Sequence, residues 1–422
     1  MQRYFVWTIG CQMNQAESQR IAGYLDSAGY QTATGFSDAD LVILNTCVVR
    51  QNAENKVLGT LGLLRGLRDK HPDLQILVTG CFVDSDGQDL KGRFPQIDFS
   101  FRPGGYPELI AWCQEQGMFI EQAVSAPRAF SPCAFVPIIE GCNNFCSYCI
   151  VPYRRGNEVS RPLDEVVCEI KELVRRGAKQ VTLLGQNVDS YGHDLSGRPD
   201  LASLLTELGG IDELARIRFL TNHPKDISLR LIETVASISK VCEHLELPVQ
   251  AGNDDILRAM RRGYTVEQYR ELIHTIRRKI PQVSLSTDVI VGFPGETEEQ
   301  FGHTFSLIED LRFDVVHVAA YSPRPGTTAW REHQDDISSQ VKKERVNRIE
   351  ALQAGIASTM NSQLHGRLVE VLVEGKRRGK WFGRTRSDKL VFFEDARDRL
   401  GQLATVQVER TSPWSLGGEA RY

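Results

Sequence analysis

Hydrophobic positions along this chain follow two rhythms, and their order predicts three structural units. Residues 3–9, Arg-Tyr-Phe-Val-Trp-Thr-Ile, form an aromatic and β-branched run that reads as a strand, and a helical pattern follows from about Asn14 to Ala28. The phrase recurs. Leu41-Val-Ile-Leu44 precedes a helical pattern from about Asn52 to Lys70, and a third strand covers Gln75-Ile-Leu-Val-Thr79. Strand–helix alternation of this kind predicts a parallel, Rossmann-like sheet with both faces covered. From about Ala134 to Gln363, apolar strands alternate with amphipathic helices at a βα spacing. The strand candidates are 135–139, 181–184, 217–220, 245–249, 284–291 and 315–321, and the helices start near Asp164, Asp200, Ile227, Asp254 and Thr297. Six parallel strands are too few for a closed eight-stranded barrel, so a partial barrel is expected. Beyond Gln363 the pattern changes again. Residues 365–374 alternate like a half-buried strand, and shorter strands near Trp381–Thr385, Leu390–Phe393 and Ala404–Arg410 predict a small β-barrel. The expected boundaries are 1–118, a linker at 119–133, 134–363 and 364–422.

Composition narrows the class without naming it. The chain has 422 residues, 41% hydrophobic and 25% charged, as in ordinary globular proteins with more than one core. No apolar run approaches the ~18 residues of a membrane span. The opening Met-Gln-Arg-Tyr is not a charged-then-apolar signal segment, and ten scattered cysteines do not resemble a small secreted scaffold. Thiolate ligands in a reducing cytoplasm are the expectation. A net charge of −4 does not advertise a nucleic-acid binder, but it averages over a basic C-terminal stretch.

Chemistry concentrates in the cysteines. Cys142-Asn-Asn-Phe-Cys146-Ser-Tyr-Cys149 follows the first strand of the central unit, on the carboxyl-end face where barrel enzymes place their reactions. Three thiolates on one short loop can hold one face of a 4Fe–4S cube, which normally takes four. An iron left without a protein ligand is a site for chemistry. A structural zinc site would need a fourth Cys or His at short range, and the next cysteine, Cys168, falls in a helical pattern. In the N-terminal unit Cys11, Cys47 and Cys81 each come just after a strand, on the functional edge of a parallel sheet. A single cysteine there is commonly a small packing residue; three in the same topological place predict a second cluster. Cys113, Cys133, Cys168 and Cys242 are assigned no role: Cys133 falls in the linker, and the others read as packing residues. His223, beside Pro224, reads as structural.

The spacing C-x3-C-x2-C resembles the radical S-adenosylmethionine (SAM) superfamily, whose core is an open (β/α)6 barrel. With Thr8-Ile-Gly-Cys-Gln-Met-Asn14, Asn45-Thr-Cys47, Thr79-Gly-Cys81 and Val151-Pro-Tyr-Arg-Arg-Gly-Asn-Glu-Val-Ser-Arg-Pro162, the whole chain resembles the methylthiotransferase family. The resemblance implies an α/β fold with a radical SAM barrel and a C-terminal TRAM domain. It also implies two 4Fe–4S clusters: a radical cluster on Cys142, Cys146 and Cys149, and an auxiliary, sulfur-carrying cluster on Cys11, Cys47 and Cys81. SAM is implied as cofactor, and its expected contacts are Gly185, Gln186, Asn187, Gln250, Asp288 and Gly292, at the ends of the second, fourth and fifth strands. Two departures stand out. Gln186-Asn187 replaces an acidic residue that the superfamily often has there, and Gln250-Ala-Gly-Asn253 stands where the family usually has Gln-Ser-Gly-Ser. Gly295-Glu-Thr-Glu also reads simply as a turn into a helix capped near Thr297.

The C-terminal stretch offers Lys376, Arg377, Arg378, Lys380, Arg384, Arg386 and Lys389, interleaved with Trp381 and Phe382. Basic groups neutralise phosphates and aromatics stack on unpaired bases, so these residues are candidate RNA contacts, with a solvated hairpin as the plain alternative. Within the family, the motifs most resemble the branch that methylthiolates carbon 2 of N6-isopentenyladenosine beside the anticodon. The implied partners are the tRNA anticodon stem-loop and an electron donor such as flavodoxin or ferredoxin. Two branches share the chemistry: one acts on threonylcarbamoyl-adenosine in tRNA, the other on an aspartate of a ribosomal protein. A non-catalytic iron–sulfur RNA-binding protein is the alternative of another class.

Overall fold

The computed structural model describes residues 2–49, 51–83, 90–118 and 131–421. The N-terminal unit is a five-stranded parallel sheet. Its spatial order runs Gln31–Thr32, Arg3–Thr8, Leu41–Thr46, Gln75–Gly80, Phe99–Ser100. The two edge strands, only two residues long, were too short to show in the hydrophobic pattern. Helices Gln12–Ser27 and Gln51–Arg68 cover the sheet. The strand order reverses between Arg3–Thr8 and Leu41–Thr46, and in open parallel sheets such a switch point, beyond the carboxyl ends of the strands, is where ligands bind.

The central unit has six parallel strands arranged in chain order. Cys133–Pro137, Gln180–Leu184 and Arg216–Phe219 form one sheet, and His244–Glu246, Ser284–Val291 and Val315–Ala320 form the next. The bridge Ile217–Val241 links the two, so the arc is continuous but not closed. Its apolar core runs from Val136 and Val181 through Ile217 and Leu245 to Val289, with the covering helices packed outside. Cys133 opens the first strand and so is not a linker residue; residues 119–130 of the expected linker lie outside the described residues. The single helix expected from Asp254 is two, Asp254–Ala259 and Val266–Lys279. Arg261 (φ 57°) and Gly263 (φ 75°) break the first, and a Thr265/Gln268 capping box starts the second.

The C-terminal barrel closes in the order Leu368–Arg377, Lys380–Arg384, Leu390–Glu394, Leu416–Arg421, Leu403–Thr411. The last strand was not anticipated, because Gly417 and Gly418 hide its alternation. Gly418 is required by closure: a Cβ there would come 2.0 Å from the Gln407 carbonyl oxygen.

Candidate functional site

Adjacent strands bring the three N-terminal cysteines to one edge. Cys11 caps the helix Gln12–Ser27, Cys47 follows Thr46, and Cys81 follows Gly80, its N–H bonded to the Thr46 carbonyl at 2.9 Å. The surrounding motif residues knit these loops together. The fully buried Asn14 donates to Asn45 Oδ1 (2.8 Å) and to the Thr46 carbonyl (3.1 Å), and Asn45 donates back to the Asn14 carbonyl (2.8 Å). Gly80 has φ 88°, and a Cβ on it would lie 2.2 Å from the Thr46 carbonyl oxygen, which explains the glycine before Cys81. Burial pushes the Cys47 thiol up to about 11, with neighbouring Cys81 adding to the effect, and burial raises Cys81 likewise.

The second set sits on the loop after the first barrel strand. The loop is tied to the barrel at several points. Gly141 N–H donates to Gln186 Oε1 (2.7 Å), Cys142 N–H to the Gly156 carbonyl (3.2 Å), and Ser147 to the carbonyls of Met260 and Ala259. Burial pushes Cys142 up to about 11 and Cys149 up to about 12, Cys146 contributing in both cases. In such pockets a bare thiolate is costly, and a metal in place of the proton removes that cost. Among the described residues no three Cys, His, Asp or Glu side chains close round a single ion. Thiols on separate loops, or separate turns of one loop, match ligands to different corners of a larger iron–sulfur group. The donor sets fit 4Fe–4S clusters.

Two buried arginines that went unassigned from sequence flank these sets. Arg155 ends the helix Val151–Arg155, which starts two residues after Cys149, and forms a bidentate pair with Glu17 (2.5 and 3.3 Å) beside Cys81. Arg262, also buried, donates to Cys146 Sγ at 3.3 Å, to the Pro248 carbonyl at 2.8 Å and to the Tyr264 hydroxyl at 3.0 Å. Arg155 lies within the Val151–Pro162 motif, so a signal for it existed; Arg262 had none. Arg161, in the same motif, turns inward to Glu169 (2.6 Å) and the Pro137 carbonyl (2.8 Å).

The expected SAM contacts lie at or just beyond the carboxyl ends of the barrel strands, except Asp288 within the fifth strand, and they differ in character. Asn187 Oδ1 and Gln250 Oε1 are buried without a hydrogen-bond partner, as are Asn222 Oδ1 and His223 Nε2 nearby, which leaves polar capacity for a ligand. Gln250 sits at φ 70°. Gln186 already accepts from the cluster loop, and a Cβ at Gly185 would strike Ile139 at 2.4 Å. Asp288 is half-buried on the fifth strand. Gly292 has a different reason for being glycine: a Cβ there would meet the Lys342 side chain at 2.4 Å, and its N–H binds Glu296. Thr297 is the expected N-cap, accepting from Gln300 N–H. Burial, with Arg262 and Lys225 nearby, lowers His223 to about 2, so its ring stays neutral. Cys113 and Cys242 are buried, whereas Cys168, expected to pack, is exposed.

The basic C-terminal residues divide. Lys376, Arg377 and Arg378 are exposed at the Arg377–Lys380 hairpin turn. Trp381 is not a free stacking platform: it is buried in the barrel core, its indole N–H donating to the Asp395 carbonyl, with Lys376 over the ring. Lys380 pairs with Glu394, and Arg384 with Asp388 and more distantly Glu374. Arg386 pairs with Glu243 and the Val241 carbonyl, and Lys389 with Asp314, so these two dock the small barrel against the half-barrel. From the other side, buried Arg216 and Arg218 donate to the carbonyls of Arg384, Glu370 and Thr385. These contacts gather at the amino ends of the barrel strands, opposite the cysteines.

A half-barrel with a C-x3-C-x2-C loop on its first strand end defines a radical SAM protein. Family models agree: the radical SAM superfamily matches residues 136–308, the uncharacterized protein family UPF0004 matches 3–102, and the TRAM domain matches 362–420. Solved structures share the fold. A radical SAM methyltransferase, TsrM, from Kitasatospora setae covers 78% of this chain and 74% of its own at TM-score 0.54 and 14% identity. The cobalamin-dependent SAM radical enzyme OxsB covers 84% and 56% at TM-score 0.54 and 10% identity. Among curated relatives, "tRNA-2-methylthio-N(6)-dimethylallyladenosine synthase" of Dehalococcoides mccartyi is 52% identical over 99% of this chain and 98% of its own. The protein of the same name from Chloroflexus aurantiacus is 47% identical over 99% and 91%. This chain belongs to the tRNA-2-methylthio-N(6)-dimethylallyladenosine synthase family.

Proposed function

We propose that the chain is a radical SAM tRNA methylthiotransferase that replaces the hydrogen on carbon 2 of N6-isopentenyl(dimethylallyl)adenosine beside the anticodon with a methylthio group. The observation that carries this is the connection between the two cysteine sets. The helix Val151–Arg155 begins beside Cys149 and ends with Arg155 against Cys81. About six residues of helical rise and one side chain separate the sets, about 15 Å in all, so one nucleotide can face both. Cys142, Cys146 and Cys149 hold the radical cluster, and Cys11, Cys47 and Cys81 the auxiliary one. When bound, the clusters and SAM supply hydrogen abstraction and the methylthio group.

The chain's own residues bind, orient and enclose. Asn14, Asn45 and Gly80 hold the three N-terminal loops in register, and Gln186 and Arg262 hold the radical loop. Asn187 and Gln250, at the strand ends, and Asp288 supply polar contacts to SAM. Exposed Lys376, Arg377 and Arg378 contact the tRNA backbone, and Lys380, Arg384 and Arg386 serve the barrel and its docking. The proposed units are 1–118, 134–363 and 364–422, joined through 119–133. No described helix is long and apolar enough to cross a membrane; a cytoplasmic location and a flavodoxin- or ferredoxin-type electron donor complete the reading. The test is product formation by anaerobically reconstituted protein on three substrates: tRNA bearing isopentenyladenosine, tRNA bearing threonylcarbamoyl-adenosine, and the ribosomal protein. Methylthiolation of the first alone is expected, and turnover only on another overturns the assignment.

A further inference from the structure

Arg262 is an enclosed cation that, among the described residues, bonds a cysteine sulfur and no carboxylate. It is 4% exposed, and among the described residues the groups that act on its charge are Tyr148, Tyr264 and Cys146, with no carboxylate in an ion pair. Its donors reach the Pro248 carbonyl, the hydroxyls of Tyr264 and Tyr148, and Cys146 Sγ. The carbonyl and the two phenols are neutral, whereas a cysteine sulfur that ligates a metal is a thiolate. A buried charge without an opposite charge is costly, and proteins rarely keep one. Arg155, beside the other cysteine set, shows the contrast, because Glu17 already answers its charge. The local backbone is built for the placement: Arg261 and Gly263 both take left-handed conformations, and the intervening Arg262 turns inward onto the cysteine loop.

We propose that Arg262 is a positioning residue that sets the reduction potential of the cluster on Cys142, Cys146 and Cys149. This rests on the cluster assignment above. A 4Fe–4S core of charge two plus, held by three thiolates, carries one net negative charge, and uptake of one electron doubles it. A guanidinium bonded to a ligand sulfur stabilises the reduced form more than the oxidised one, because net charge and hydrogen bonds to sulfur set such potentials. The electron comes from an external low-potential one-electron donor, and no proton moves. Arg262 therefore makes electron entry easier without touching the substrate.

The test uses the full chain carrying Cys11, Cys47 and Cys81 all changed to Ala, so that only the radical cluster remains, reconstituted anaerobically and titrated with dithionite under EPR detection. Arg262→Met is expected to lower the reduction equilibrium constant tenfold or more, a shift of about 59 mV to more negative potential for a one-electron couple. Arg262→Lys, which keeps the charge, is expected to stay within a few-fold of the parent. If Arg262→Met fails to hold iron while Arg262→Lys holds it at the parental potential, the charge role stands. Parental potential in an iron-replete Arg262→Met protein overturns it. So does a Lys variant as impaired as Met, which would mean that shape rather than charge matters. A parent protein that binds no reducible cluster on Cys142, Cys146 and Cys149 would bring down the cluster assignment itself, a result distinct from any of these.

Discussion

Arg155 and Glu17, 138 residues apart in sequence, form a bidentate ion pair in which both side chains are almost wholly buried. The pair ties the helix after the radical loop to the first helix of the N-terminal sheet. Ile150 and Tyr153, on the same segment, pack into the apolar core of that sheet. The joint between the two cysteine sets is therefore a packed interface rather than a hinge.

Removing one partner leaves a buried charge unanswered. Arg155→Met is expected to cost about 3–5 kcal/mol. Arg155→Met combined with Glu17→Gln should recover a large part of it. Urea unfolding of the three proteins measures both effects, and equal midpoints for the single and double variants would show that the pair is not coupled.

The cysteine sets should separate by iron content. Reconstituted protein is expected to hold about eight irons, and about four after Cys142, Cys146 and Cys149 are changed to Ala. The latter protein should not cleave SAM. A variant lacking Cys11, Cys47 and Cys81 should still cleave SAM and form no methylthio product. Iron analysis and chromatography of 5′-deoxyadenosine report each arm.

Gly80→Ala tests the loop geometry without touching a ligand. A Cβ 2.2 Å from the Thr46 carbonyl oxygen, at φ 88°, forces the Cys81 loop to move. The expected result is destabilisation by more than about 1 kcal/mol, together with loss of iron from the N-terminal set only.

RNA affinity should depend on the exposed turn and not on the docking face. Each of Lys376→Ala, Arg377→Ala and Arg378→Ala is expected to weaken tRNA binding and to reduce the slope of log affinity against log salt by about 1. Arg386→Ala should leave that slope alone and lower the unfolding temperature instead, because its partners are Glu243 and Val241. Titration of tRNA at several salt concentrations distinguishes them. Truncation at Gln363 is a poorer test, since it strips acceptors from Arg216 and Arg218.

Stability should fall in mild acid through His244. Burial lowers its folded value to about 4, against an ordinary 6.5. Between these values the unfolded chain binds a proton that the folded one refuses, so stability declines as pH drops from 6.5 towards 4 and is unaffected above 6.5. The full shift corresponds to about 3 kcal/mol. His244→Gln should flatten that part of the pH profile in chemical denaturation, and an unchanged slope would remove His244 as its cause.

Much of this protein was legible in one dimension because its signals are local. The cysteine spacing 142/146/149 puts three ligands on one loop whatever surrounds it, and the period-2 and helical rhythms mark the long strands and helices. Cys11, Cys47 and Cys81 could be grouped because parallel βα units place every strand end on the same edge. The short strands Gln31–Thr32 and Phe99–Ser100, and the glycine-bearing Leu416–Arg421, exist only through pairing with neighbours and leave no periodic trace. The role of a charged side chain was likewise invisible, because charge does not say what faces it. Lys376 and Arg386 are ten residues apart in one basic run, yet one meets water and the other Glu243. Trp381 looked like a stacking surface until barrel closure put it inside, and Arg262 carried no signal in the sequence although the turn at Arg261 and Gly263 directs it to Cys146. Spacing along the chain determined which atoms could bind metal; contacts between residues far apart in sequence decided the burial and charge around them, since desolvation and pairing depend on neighbours that only folding supplies.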